Sequence, residues 1–123
     1  MSSVSQHGTP KYLKFPATAK ERKAASLEQE NQVAKDLKGR RRAGSGNQGG
    51  YPGDVVAEQW LVECKRTDKI SFRINEGTLA KIRAEAESVG KEWLLVNDLR
   101  NTRTVTLDYE TFLGLLENCP GRV

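Results

Sequence analysis

Asp54-Val55-Val56-Ala57-Glu58-Gln59-Trp60-Leu61-Val62-Glu63-Cys64-Lys65 reads as a β-hairpin near the middle of a 123-residue chain. Two runs rich in β-branched and apolar residues, 54–57 and 60–65, flank a tight turn at Glu58-Gln59. Successive side chains point to opposite faces of a strand. Trp60, Val62 and Cys64 therefore share one face of the second run, and Leu61, Glu63 and Lys65 share the other. An acid and a base thus point the same way, and Asp54 stands at the start of the hairpin.

Before the hairpin, the spacing predicts a helix from about Lys20 to Lys38. Leu27, Val33, Ala34 and Leu37 cluster on one side of it at 100° per residue. Glu30 falls within that stripe, whereas Glu28 falls nearly opposite. An acid on a buried face is costly unless something compensates it, and a nearby cation would do so. Residues 1–20 are poor in large apolar side chains and predict a basic, mobile arm, leaving 21–123 as one domain. Ala43 to Gly50 should form no regular element. It reads either as a linker or as a loop that approaches a phosphate, with Ser45 and Asn47 as polar contacts.

After the hairpin, Ile70 to Ile74 predicts a third strand. A helix follows over about Thr78 to Val89, with Leu79, Ile82, Ala86 and Val89 on its apolar face and Gly90 ending it. Glu92 to Val96 reads as a buried strand and Thr102 to Leu107 as an alternating one. Asp108 should cap a last helix carrying Phe112, Leu113, Leu115 and Leu116.

The net charge is +4, and it is unevenly placed. Residues 1–42 hold ten Lys and Arg against four Asp and Glu, and the rest of the chain holds ten against twelve. The excess is densest at Lys38-Gly39-Arg40-Arg41-Arg42. Such a run either solubilises the chain or meets an anionic polymer. No apolar stretch is long enough to cross a bilayer, and the basic run lacks the large apolar residues of a membrane-surface helix. Two cysteines, Cys64 and Cys119, make no disulfide framework and no paired metal motif. Both read as small core residues in a reducing, cytoplasmic setting. The two tryptophans read as core. His7 lies in the arm, which argues against chemistry built on a histidine base.

Asp54, Glu63 and Lys65 suit hydrolysis of a phosphodiester. That reaction needs an activated water and neutralised charge on the phosphate, and bound Mg2+ supplies part of both. Mg2+ takes one or two carboxylates, water and substrate oxygens rather than a full protein cage. Asp54, Glu63 and the backbone carbonyl of Cys64 would meet that need, with Mn2+ as a substitute. Glu30 would join through water or tune a second metal position. Lys65 would stabilise the anionic transition state or orient the attacking water. Lys38, Arg40, Arg41, Arg42 and Arg66, with Ser45 and Asn47, are the candidate DNA contacts. The competing reading makes Glu63 and Lys65 ordinary exposed strand charges.

These residues resemble the PD-(D/E)xK nuclease superfamily. Helix with Glu30, hairpin with Asp54 and Glu63-Cys64-Lys65, then helix and strand match its restriction-endonuclease-like αβββαβ core. That resemblance implies an α/β fold with a central mixed sheet flanked by helices. Within the superfamily the chain is most similar to small Holliday junction resolvases of the archaeal type, over roughly residues 24–97. The similarity is carried by Glu30, Val33 and Leu37, by Arg41-Arg42-Ala43-Gly44-Ser45-Gly46, by Asp54-Val55-Val56 and by the Glu-x-Lys strand. It implies a Mg2+-dependent homodimer that nicks four-way DNA junctions, with Ser45 as a catalytic or phosphate-contacting serine. The long N-terminal arm and the strand and helix after Thr102 depart from that pattern. Another nuclease of the superfamily, for restriction, repair or replication, and a silent nucleic-acid-binding module are the alternatives.

Overall fold

Thr18 stands at the head of the first helix. Its hydroxyl accepts from the Glu21 N–H, and the Glu21 carboxylate accepts from the Thr18 N–H, both at 3.0 Å. This capping box satisfies two of the donors that a helix start leaves open. The structure, a computed structural model, describes residues 18–42 and 53–119.

The elements run α1 (Ala19–Asp36), β1 (Arg40–Arg41), β2 (Val55–Val56), β3 (Trp60–Arg66), α2 (Glu76–Ser88), β4 (Glu92–Asp98), β5 (Arg103–Thr106) and α3 (Tyr109–Glu117). The strands form one mixed sheet in the order β1-β2-β3-β4-β5. Only β3 and β4 are parallel, and α2 makes the crossover that a parallel pair requires. The other neighbours are antiparallel. The fold is therefore α/β, as the resemblance implied.

The sheet has apolar clusters on both faces. On one, Val33 and Ala34 of α1 pack with Val55, Val62, Leu94 and Val96. On the other, Ile82 and Ala86 of α2 pack with Val56, Leu61, Trp93 and Leu95. Being covered on both sides, β4 is a nearly continuous apolar run and is buried from Trp93 to Asp98. The α2 cluster fixes the outlook of β3. Leu61 belongs to it, so Glu63 and Lys65, two and four residues on, face the α2 side, in keeping with the alternation.

Glycines at the hairpin's approaches keep elements close. A side chain at Gly39 would collide with the Val56 carbonyl, which lets α1 turn directly into β1. Gly53 has φ +86°, and a Cβ there would lie 2.7 Å from Leu61 Cδ1. Lys38, with φ 57°, takes the left-handed conformation that ends α1.

Several expectations need correction. Ile70 to Ile74 forms no strand. The place beside β3 goes to β4, which pairs with it in parallel, and the segment serves as the connection from β3 to α2. The missing strand of the αβββ order is β1, inside the basic run. Leu27 lies on the solvent side of α1 and is 41% exposed. The buried position in that stripe belongs to Gln29, while Glu30 is half-buried. Cys119 is exposed rather than core, because α3 buries none of its residues completely. Cys64 packs against the α1-side cluster, and Trp93 is buried. Gly90 follows the end of α2 with φ +69°, as expected, and Asp108 caps α3 by accepting from the Glu110 N–H at 2.9 Å.

Candidate active site

Asp54 is fixed by the hairpin on three sides. Its N–H donates to the Val62 carbonyl at 2.9 Å, and its own carbonyl accepts from the Arg42 N–H at 2.8 Å. Its carboxylate Oδ2 accepts from the Cys64 N–H at 2.8 Å. β2 is only two residues long, so this side chain does at Cys64 what a longer strand's carbonyl would do. The N–H and C=O of one strand residue point to the same edge. The Cys64 carbonyl therefore faces the edge where the Asp54 carboxylate sits.

One residue before Cys64 stands Glu63, and one after it Lys65. Lys65 Nζ lies 3.2 Å from Glu63 Oε2. The lysine side chain is 55% exposed and the glutamate 19%, so the pair lies at a rim, acid inward. Burial pushes the Glu63 carboxyl above its ordinary value, and the charge of Asp54 adds to the rise. Lys65 and, more weakly, Lys81 of α2 oppose it.

Glu30 of α1 lies within electrostatic reach of the same acids. Its carboxyl is also raised, first by burial and then by Asp54, with a smaller contribution from Glu63. Arg41 of β1 opposes the rise, its guanidinium 3.9 Å from Glu30. Burial and then Asp54, Glu30 and Glu63 push the Cys64 thiol far up, so it is an unreactive, protonated group. The fold thus brings Glu30, Asp54, Glu63, Lys65 and Arg41 into one electrostatic cluster, from α1, β1, β3 and the residue that precedes β2.

The remaining candidates fall differently. Lys38 and Arg40 are exposed, and Arg41, Arg42 and Arg66 are half-buried. Arg41 faces an acid of the cluster, and Arg42 contributes its backbone to Asp54. Ser45 and Asn47 lie outside the described residues.

Three features escaped the sequence. Gln29 is 1% exposed, and its Nε2 donates to the Lys65 carbonyl at 2.8 Å, tying α1 to the strand that carries the lysine. Its spacing, four residues before Val33, was the available signal. Lys81, exposed and 2.9 Å from Glu85, stands within electrostatic reach of Glu63 and Asp54. Asp98 is fully buried and accepts from Arg103 Nε and Nη2 at 2.6 and 2.9 Å. The pair faces itself across a short antiparallel β4–β5 hairpin, five residues apart, and an acid and an arginine flanking that turn were the available signal.

Among the described residues, no three His, Cys, Asp or Glu side chains converge as a ready-made cation cage. The donors present still suit Mg2+, which needs few protein oxygens. Two carboxyls raised by burial and by a third acid are the chemistry of a site that gains from a cation.

No protein-family model matches the sequence, and no curated protein matches it significantly. A solved structure does match in shape. It is that of Archaeoglobus fulgidus Hjc, a Holliday junction resolvase from an archaeal hyperthermophile. The TM-score is 0.53 at 17% identity, over 76% of this chain and 82% of that one. At that identity the likeness carries the fold. No described helix is long and apolar enough to cross a membrane.

Proposed function

We propose that this chain is a metal-dependent, structure-selective DNA endonuclease, a resolvase that nicks four-way junctions by phosphodiester hydrolysis. The observation that carries the reading is the Asp54 carboxylate pinned to the Cys64 N–H, between Glu63 and Lys65 on β3 and coupled in charge to Glu30 of α1. The likeness in fold to Hjc supports the same reading.

The roles follow from position. Asp54 and Glu63, with the Cys64 carbonyl, would hold Mg2+ or Mn2+, and Glu30 would tune the site through water. The bound cation supplies charge neutralisation at the phosphate and a more acidic water. Lys65, at the exposed rim, meets the phosphate and stabilises its growing negative charge. Asp54 orients Lys65 indirectly, by fixing the backbone between Glu63 and Lys65. Gln29 fixes the same strand from the other side of the sheet. Lys38, Arg40 and Arg66 grip phosphates without reading bases, as affinity for backbone requires. Ser45 and Asn47 would add polar contacts from their loop. In this reading residues 21–123 form the nuclease domain behind a basic arm of residues 1–20. Two copies act together in the cytoplasm on the two strands of a junction.

The test is cleavage of a labelled four-way junction beside a linear duplex of the same sequence, with Mg2+ or Mn2+. Paired nicks in the junction and little cutting of the duplex are expected. Equal cutting of both would leave a nuclease and remove the resolvase. No cutting with either metal would remove catalysis.

A further inference from the structure

An open groove of about 340 Å³ lies beside the turn of the hairpin. Lys38, Arg40 and Lys91 line it from the end of α1, from β1 and from the residue before β4, with Val56 and Glu58 of the hairpin between them. The close approach at Gly39 seats Lys38 and Arg40 against that turn, since a side chain there would meet Val56 and Ala57. Lys38, Arg40 and Glu58 are exposed, and Lys91 is half-buried. Lys91 Nζ donates to the Glu58 carbonyl at 2.7 Å. An ammonium has three donors, so two remain for a ligand.

Arg41, Lys65, Lys81 and Arg103 each face an acid. Among the described residues, none of the three cations of the groove does, although Glu58 lies at hand. Three cations against one exposed acid give a concave surface a positive field, which gathers anions. The groove also shares a face with the acids of the site. Arg40 pairs with Val56, Val56 with Leu61 and Leu61 with Trp93, one row across four strands. Paired residues project from the same face, and Leu61 lies on the α2 side, so Arg40 does too. Glu63 stands one row further along β3 and Lys65 two rows further, about 7 and 13 Å along the strand. An extended polyanion lying on that face reaches both places at once.

We propose that Lys91 is a further DNA-binding residue, and that with Arg40 and Lys38 it forms a second phosphate subsite at the turn of the hairpin. At ~3.4 Å of helix axis per nucleotide of one strand, its ligand is a phosphate about two to four positions from the one that Lys65 meets. The subsite thus holds the backbone away from the cut and sets where the cut falls. This inference rests on the nuclease reading for the nature of the anion, but not on cleavage.

The test measures binding of a labelled four-way junction by fluorescence anisotropy, with Ca2+ in place of Mg2+, over about 50 to 200 mM salt. Lys91→Gln removes the charge and keeps a donor for the Glu58 carbonyl, and Arg40→Gln removes the second cation. Each should weaken binding by about three- to tenfold and lower the salt slope by about one. Lys91→Arg should restore both quantities, and Glu58→Gln should tighten binding. The double variant should lose less than the sum of the two, because both lose the same phosphate. A merely structural Lys91 would lower Tm and leave the slope unchanged in the molecules that fold. An unchanged slope in either glutamine variant, or strictly additive losses in the double variant, would overturn the proposal. Cleavage by the wild type is scored apart. A protein that binds the junction and never cuts it fails the nuclease reading and leaves the subsite standing. Intact cutting with an unchanged slope fails the subsite alone.

Discussion

Glu63 pays for its place by ionising reluctantly. Its folded-state pKa lies above the ordinary 4.5, because of burial first and Asp54 second. Between the two values the unfolded chain has lost the proton and the folded chain still holds it. The stability this group contributes is full below pH 4.5 and is lost as pH rises through the folded value. Glu30 behaves in the same sense. Metal-free protein should therefore gain from Glu63→Gln at pH 8, by about 2–4 °C in Tm, and gain little at pH 4. A bound divalent cation favours the ionised acids, so Ca2+ should raise the wild-type Tm more at pH 8 than at pH 5. Differential scanning fluorimetry at the two pH values measures both effects. Asp54→Asn keeps an acceptor for the Cys64 N–H and removes the charge. Its cutting rate should fall at least about a hundredfold, with junction affinity in Ca2+ changed far less. Cleavage and anisotropy assays on the same preparation separate the two.

At the scale of elements, what matters is how α1 and the short strands are held to β3. Gln29 carries one link, a buried hydrogen bond to the Lys65 carbonyl. Gln29→Ala should destabilise the protein by about 2–4 kcal/mol, as a lost bond plus a cavity. Urea unfolding would show it as a lower midpoint at constant slope. The hairpin was legible because its alternation is strong and its turn short, and α2 because its apolar face repeats cleanly up to Gly90. β1 was not legible. It is two residues long and made of arginines, and its partners in β2 are Val56 and Val55, 16 and 14 residues away. The segment Ile70 to Ile74 has the pattern of a strand and none of the pairing. Alternation reports which side chains can share a face, not whether the segment pairs with a strand.

Across the whole molecule, charge and burial divide the labour. The basic excess lies before residue 43, and the rest of the chain is slightly acidic. Binding that rests on phosphate contacts releases counterions, so junction affinity should fall about a hundredfold or more between 50 and 200 mM salt. A titration of affinity against salt gives the number of contacts from its slope, and a flat slope would remove the basic run as a DNA grip. The Asp98–Arg103 pair works at this scale too. It joins β4 to β5 beyond the α1-side core through two hydrogen bonds, with the acid fully buried and the arginine half-buried. Breaking it by Asp98→Ala should cost about 2–3 kcal/mol, since a charged, bidentate hydrogen bond is lost to a half-buried arginine. Chemical denaturation of the metal-free protein measures that loss.

The sequence by itself determined the hairpin, the shared outlook of Glu63 and Lys65, both long helices and the uneven charge. These follow from local periodicity and local turn chemistry, which act within a dozen residues. Only the tertiary structure decided that Gln29 rather than Glu30 fills the buried stripe, that two arginines supply the first strand, and that Asn97 stands beside Lys65. Each of those depends on which strand edge is already occupied and on how helix and sheet meet. Such contacts join residues tens of positions apart, and no local pattern encodes them.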